Sequence, residues 1–232
     1  MTEIFSDGFE TGNFNAWTGT SGTPSIITDP VHHGTYAMMC NAVEYAYKTL
    51  ASSQPFIYHR CYVRTNTVPA TGEYVDVMWG RATSTTIFGA VIAYSGGVKW
   101  RLSYRNGATW TNYWTSIPAV VNTWYCVEIY WKLGASDGQV QMWIDGELAA
   151  DLKDLDTDNY GNCTAVRNGV LSEGFAGAFE VVEDCVVVAD AYIGEEGAPP
   201  EGQPYISRVQ QVSGMQTFNP IHALKPLIRR MP

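Results

Sequence analysis

Trp79 and Arg81 stand two residues apart, so on a strand they project from one face, an aromatic ring beside a guanidinium. Trp100, Leu102 and Tyr104 share a second such face, and Trp110, Tyr113 and Trp114 crowd a loop-like stretch rich in Asn and Thr. Rings that lie against the apolar side of a sugar, with Asn, Asp or Arg supplying hydrogen bonds, make a glycan site. A few polar groups on a mostly apolar concave surface are general to ligand sites. Trp79, Arg81, Tyr104, Trp110, Tyr113 and Trp114 are therefore the candidate glycan-binding residues. Most tryptophans in a β-rich chain fill space, and Trp124, Trp131 and Trp143 are expected to be partly core. Trp110 and Trp114 are the better surface candidates.

Other chemistry is harder to find. Glu73 and Asp76 are three apart, which puts them on opposite faces of a regular strand, and Glu180 with Glu183 repeats that spacing. The four histidines (His32, His33, His59 and His222) accompany no nucleophile motif, and no Gly-x-Ser-x-Gly or phosphate loop appears. Five cysteines (Cys40, Cys61, Cys126, Cys163 and Cys185) show no metal-type spacing, and their odd number leaves at least one unpaired. Cys61 and Cys126, inside alternating apolar runs, read as buried free thiols.

The elements that must position these residues are strands. "PFIYHRCYVRT", "YVDVMWGRA", "IFGAVIAYS", "VKWRLSYR" and "TWYCVEIYWKL" alternate in the manner of half-buried strands, with Gly, Ser and Thr between them. "QVQMWIDGELAADL" turns at Asp145-Gly146, the pair favoured where both central positions need positive φ. About a dozen strands are expected, with one short helical segment near Asp151–Asp158. That pattern predicts an all-β, two-sheet antiparallel sandwich over residues 1–195, a Pro/Gly linker over 196–204 and an extended C-terminal arm over 205–232. The arm's apolar anchors include Tyr205, Phe218, Leu224 and Leu227, and Pro220 and Pro226 prevent a continuous helix. Arg229 and Arg230 add positive charge, so the body is more acidic than the whole chain's net charge of −9. An acidic body argues against nucleic acid, no run is long enough for a membrane helix, and no signal-peptide pattern opens the chain. The arm is expected to dock on a neighbouring acidic copy and hold an oligomer together.

"DGFETGNFNAW", "TWYCVEIYWKLGASDGQVQMWIDGE" and "EDCVVVADAYIG" together resemble the concanavalin A-like lectin/glucanase jelly rolls, nearest the laminin-G-like and MAM-like modules. The resemblance spans about residues 4–194. It implies first and last strands lying side by side, tied by a structural calcium ion. Glu10 with the carbonyls near Gly12 and Asn13 would supply one half of its oxygens, and Asp184 or Asp190 the other. The hydrolase pattern of that family, Glu-x-Asp-x-x-Glu, is missing, as is the Gln-x-His strand of its polysaccharide lyases, so a non-catalytic protein is expected. Met1, the absent signal and the basic arm suit a decoration protein displayed on a virion or another extracellular surface, binding a cell-surface glycan. The alternative is a secreted carbohydrate-binding module or polysaccharide-degrading enzyme of the same fold.

Overall fold

A computed structural model of the chain describes residues 1–175 and 178–196. These form fifteen strands in two antiparallel sheets, with no helix among the described residues. The expected all-β sandwich is therefore present, with more strands than the dozen anticipated. The arm and its residues Tyr205, Phe218, Leu224, Leu227, Arg229 and Arg230 lie outside the described residues.

The first sheet runs β13 (Glu147–Leu155), β12 (Gly138–Ile144), β11 (Tyr125–Lys132), β6 (Phe56–Thr65), β15 (Val181–Ala189), β4 (Ala37–Cys40) and β3 (Ser25–Ile27), and β1 (Glu3–Asp7) also pairs with β15. The second runs β10 (Thr109–Pro118), β9 (Val98–Asn106), β8 (Thr85–Tyr94), β7 (Tyr74–Ala82), β14 (Cys163–Glu173), β5 (Tyr45–Gln54) and β2 (Gly19–Ser21). First and last strands are indeed neighbours, with Phe5 opposite Val188 and Asp7 opposite Val186.

The opening Phe-Glu-Thr-Gly run is a built turn. Phe9 takes a left-handed φ of 60°, its N–H donates to Asp7 Oδ1, and the Trp17 indole donates to Asp7 Oδ2 at 2.7 Å. Phe9 then stacks on Trp17, closing one end of the core.

Of the segment read as helical, Asp151–Asp158, the first five residues are instead the second half of β13, and residues 156–158 follow it without regular structure. Asp145 and Gly146 take φ values of 49° and 74°, the turn their pairing favours, and return the chain onto β12, with Ile144 opposite Glu147 and a register shift past Trp143. Gln139 and Gln141 then donate to Asp151 across the ladder, so tertiary pairing overrides the local helical bias.

Between the sheets lie Trp100, Trp131, Phe88, Ile57 and Met142, all fully buried. Phe88 packs near Trp131 with ring centroids 6.3 Å apart. This approach requires Gly80, where an added Cβ would stand 2.1 Å from the Phe88 ring. Gly80→Val should therefore destabilise the fold by about 1–3 kcal/mol, the usual cost of overpacking a close-packed interior. Equilibrium urea unfolding checks this, and an unchanged midpoint would show that the ring moves aside freely.

Candidate functional site

Strand register places the ligand-type side chains in three adjacent rows on the outer face of the second sheet. One row joins Trp114, Arg101, Val91, Asp76 and Ser172. The next joins Asn112, Ser103, Gly89, Trp79, Arg167 and Tyr47. In the third, Trp110 pairs with Arg105, Thr86 with Arg81, and Arg81 with Ala165. Each row is a consequence of period-two alternation: Trp79 and Arg81 point outward because Met78, Gly80 and Ala82 face the core. A bulge between Asp76 and Met78 restores the outward phase for Asp76, which strict alternation with Trp79 would have denied it. Glycine at Gly89 leaves room for the Trp79 ring, since a Cβ there would lie 2.6 Å from it.

Four arginines, Arg81, Arg101, Arg105 and Arg167, thus share one face of a chain whose net charge is −9. None is in an ion pair among the described residues. Aromatic rings hold three of them instead. Arg167 lies 4.6 Å from the Tyr45 ring, Arg105 lies 5.0 Å from Trp110 and 5.4 Å from Tyr160, and Arg101 lies 5.3 Å from Trp114 and 5.7 Å from Tyr74. A guanidinium stacked on a ring keeps its N–H edge available for planar recognition of a carboxylate. The Nε–H groups of Arg81 and Arg101 are buried with no protein acceptor among the described residues. Burial draws both guanidinium pKa values down, further for Arg81 through Arg167, while Asp76 counters the effect at Arg101. The arginines remain charged.

Asp76 lies at the floor of an open groove of about 520 Å³ bounded by Tyr74, Trp79, Arg101, Arg105 and Trp110. Burial pushes its carboxyl up to about 6, with Arg101, Trp79 and Ser172 offsetting part of that. Among the described residues it is the one carboxyl group lining this groove.

The sequence candidates separate accordingly. Trp79, Arg81, Trp110 and Trp114 do lie on this face. Tyr104 does not: it points inward and is buried, because the outward phase of β9 runs through Arg101, Ser103 and Arg105. Trp110, Tyr113 and Trp114 sit on β10, not in a loop, and Tyr113, opposite Leu102, is out of phase with the two tryptophans. Trp131 is wholly core, while Trp124 and Trp143 are half-buried elsewhere. Sequence reasoning missed Arg101, Arg105, Arg167 and Tyr45. The Arg101/Arg105 spacing of four was a usable signal; the approach of Arg167 to Tyr45 arises only from pairing of β14 with β5.

Among the described residues no histidine reaches this face. His59 is buried between the sheets, where its Nε2–H donates to Asn168 Oδ1 at 2.9 Å, and burial pushes its pKa down to about 4. Glu183 is buried nearby and accepts from the Cys61 thiol at 3.4 Å; burial pushes its carboxyl up to about 8. Because that value lies above the unfolded one of roughly 4.3, the folded state holds a proton the unfolded chain has lost, and this contribution to stability fades as pH rises from about 4.5 through 8. Glu183→Gln removes the titration, so the variant's melting temperature should gain on the wild type steadily between about pH 5 and pH 8. Parallel curves would place the Glu183 pKa outside that window.

Of the calcium candidates, Glu10 and Asp184 bond to the loop between β3 and β4, and Gly12, Asn13 and Asp190 do not. Glu10 accepts from the N–H groups of Thr35 and Tyr36 (3.0 and 3.1 Å), and Asp184 accepts from those of His32 and His33, both at 3.0 Å. Asn13 caps its own turn through Asn15, Gly12 donates to Phe9, and Asp190 accepts from the N–H of Thr2. All five cysteines are free and buried.

No protein family and no curated protein matches the sequence. Solved structures do match the fold. An endo-β-1,4-glucuronan lyase from the fungus Trichoderma reesei aligns with a TM-score of 0.62 at 15% identity, over 81% of this chain and 95% of that one. The cellulose induced protein Cip1 aligns at 0.63 and 16%, over 82% and 99%. The binding domain of botulinum neurotoxin serotype D aligns at 0.60 and 10%, over 84% of this chain but 49% of that one. At such identities the likeness shows the fold alone, a jelly-roll β-sandwich, which fits the resemblance noted in the sequence. It nevertheless corrects the expectation of a non-catalytic protein. The lack of Gln-x-His and Glu-x-Asp-x-x-Glu patterns does not exclude catalysis, because a glucuronan lyase shares this fold over 95% of its own length, and polysaccharide degradation is open to such a fold. These neighbours favour the carbohydrate-directed alternative over display on a virion.

Proposed function

We propose that the chain binds an acidic polysaccharide across the outer face of the second sheet and cleaves it by β-elimination. The observation that carries this reading is the set of four arginines without ion pairs among the described residues, interleaved with Trp79, Trp110 and Trp114, on one face of an acidic protein. Rings take the apolar sugar faces, and guanidinium groups take uronate carboxylates. The likeness to a lyase whose name specifies a β-1,4-linked glucuronan supports the same substrate class.

Elimination suits the groups present better than hydrolysis. A glycoside hydrolase needs two carboxyl groups flanking the bond, and among the described residues the groove is lined by one, Asp76. In elimination, an arginine holds the uronate carboxylate and stabilises the charge that develops as the C5 proton leaves. The C4–O4 bond then breaks, the departing oxygen takes up a proton, and a 4,5-double bond remains. Tyr45, beneath Arg167 and within the field of Arg81, is our choice for the group that, as its phenolate, receives the C5 proton and then passes it to the departing O4, which leaves the phenolate ready for the next cleavage. Incubation with glucuronan should generate the ultraviolet absorbance of unsaturated ends, and cellulose should not. If glucuronan is bound but never cleaved, the face is a binding surface; if neither happens, the substrate class is wrong.

A further inference from the structure

A second constellation lies on the first sheet. Strand β15 changes partners halfway: Val181–Glu183 pair with β4, and Val186–Ala189 pair with β1. Asp184 and Cys185 occupy the notch between, where the pairing with β6 also shifts register. Cys185 takes a left-handed φ of 51°, unusual for a residue with a side chain. Into this notch comes the loop joining β3 to β4, which carries His32 and His33. The chain leaving β15 returns over the same place, bringing Glu196.

The side chains converge. His32 Nδ1 is 3.9 Å from Cys185 Sγ and 3.7 Å from Glu196 Oε2, and His33 Nδ1 is also 3.7 Å from Glu196 Oε2. The donor atoms of His32, Cys185 and Glu196 all lie within 4.8 Å of one another, the one such group among the described residues. In tetrahedral zinc, with Zn–N near 2.0–2.1 Å and Zn–S near 2.3 Å, neighbouring ligand atoms stand roughly 3.3–3.6 Å apart. The observed spacings to His32 are within a few tenths of an ångström of those edges.

The surroundings already fix the ligands. Asp184 Oδ2 accepts from the backbone N–H groups of both histidine residues. The His32 ring stacks on Tyr62 at 3.5 Å with its edge toward Trp124. Arg60 donates to the carbonyls of Cys185 and Gly194, pinning the two chain segments that carry the thiol and the carboxylate. Outer partners of this kind orient metal ligands and tune their affinity. The exposed His33, with 74% of its side chain accessible, borders an open approach of about 280 Å³.

We propose that His32, Cys185 and Glu196 bind a zinc-type divalent cation, with His33 or water completing four ligands. Imidazole and thiolate select zinc and its late first-row neighbours over calcium, which takes oxygen donors. The ion would clamp the β3–β4 loop and the chain beyond β15 to the notch, and so stabilise the native state by mass action.

The test uses untagged, full-length protein stripped with chelator and titrated with cobalt(II) and zinc(II). One equivalent of cobalt should develop visible d–d bands and a thiolate-to-cobalt charge-transfer band, both displaced by zinc. Zinc should raise the melting temperature. Cys185→Ser should lose the charge-transfer band, and Glu196→Gln, at an exposed position whose carboxylate also lies 3.7 Å from Arg60, should weaken cobalt binding by about tenfold or more. Chelator-treated melts confirm that both variants fold. Absence of the band in the wild type, or its survival in Cys185→Ser, would overturn the assignment. So would a rise in melting temperature with calcium that zinc fails to produce.

Discussion

Arg167→Met should leave the protein folded and lower the rate of uronate cleavage by about 10²–10³-fold, the usual loss when a preorganised group facing developing charge is removed. The Arg167 guanidinium lies 4.6 Å from the Tyr45 ring and is cross-strand neighbour to both Trp79 and Tyr47, toward the β5 end of the central row. Methionine preserves the aliphatic contact with those rings and deletes only the charge. A substrate carboxylate held there would lose the partner that makes its C5 proton acidic, so the damage should fall on kcat more than on KM, because Arg81, Arg101 and Arg105 still draw the polyanion. A variant with unchanged kcat would remove Arg167 from the chemistry and leave it a stacking residue.

Tyr45→Phe should cost about 10²–10⁴-fold in kcat, the range spanned by general acid–base groups. Phenylalanine keeps the ring under Arg167, so binding of an acidic oligosaccharide should be retained while its cleavage is lost. Tyr47 is the control. Its hydroxyl lies over Gly19, where an added Cβ would be 2.9 Å from it, so Tyr47→Phe should affect packing at the sheet edge and spare the rate. If the two variants behave alike, the proton acceptor is elsewhere on the face, and Asp76, whose carboxyl burial pushes up to about 6, is the next group to replace.

Much of this architecture was legible in the sequence, because period-two alternation is a local property. β6, β7, β9 and β11 appear in the chain as alternating runs, and Asp145-Gly146 announces its own hairpin. Where local and long-range terms compete, the reading failed. Glu147–Leu155 carries helix-forming residues, yet its ladder with β12 makes it a strand. Which face of a strand meets solvent is equally invisible locally: the run Trp100, Leu102, Tyr104 has the aromatic content of a ligand surface but points inward, and the arginines that alternate with those residues form the surface. Trp79 and Arg81 were found because both fall on the solvent phase. Arg167 and Tyr45 come from strands more than a hundred residues apart in sequence, and only sheet pairing brings them together. His32, Cys185 and Glu196 escaped for the same reason, since their spacing follows no metal motif.

The central claim is that the arginine face recognises uronate carboxylates. Glucuronan and cellulose oligosaccharides share β-1,4-linked rings and differ at C6, a carboxylate against a hydroxymethyl group, so calorimetric titration of the two at equal chain length isolates that group. Binding of the glucuronan oligosaccharide should be the stronger, should weaken as added salt screens the arginines, and should fall in Arg81→Met and Arg101→Met. Equal affinity for both oligosaccharides, insensitive to salt and to those substitutions, would contradict the account.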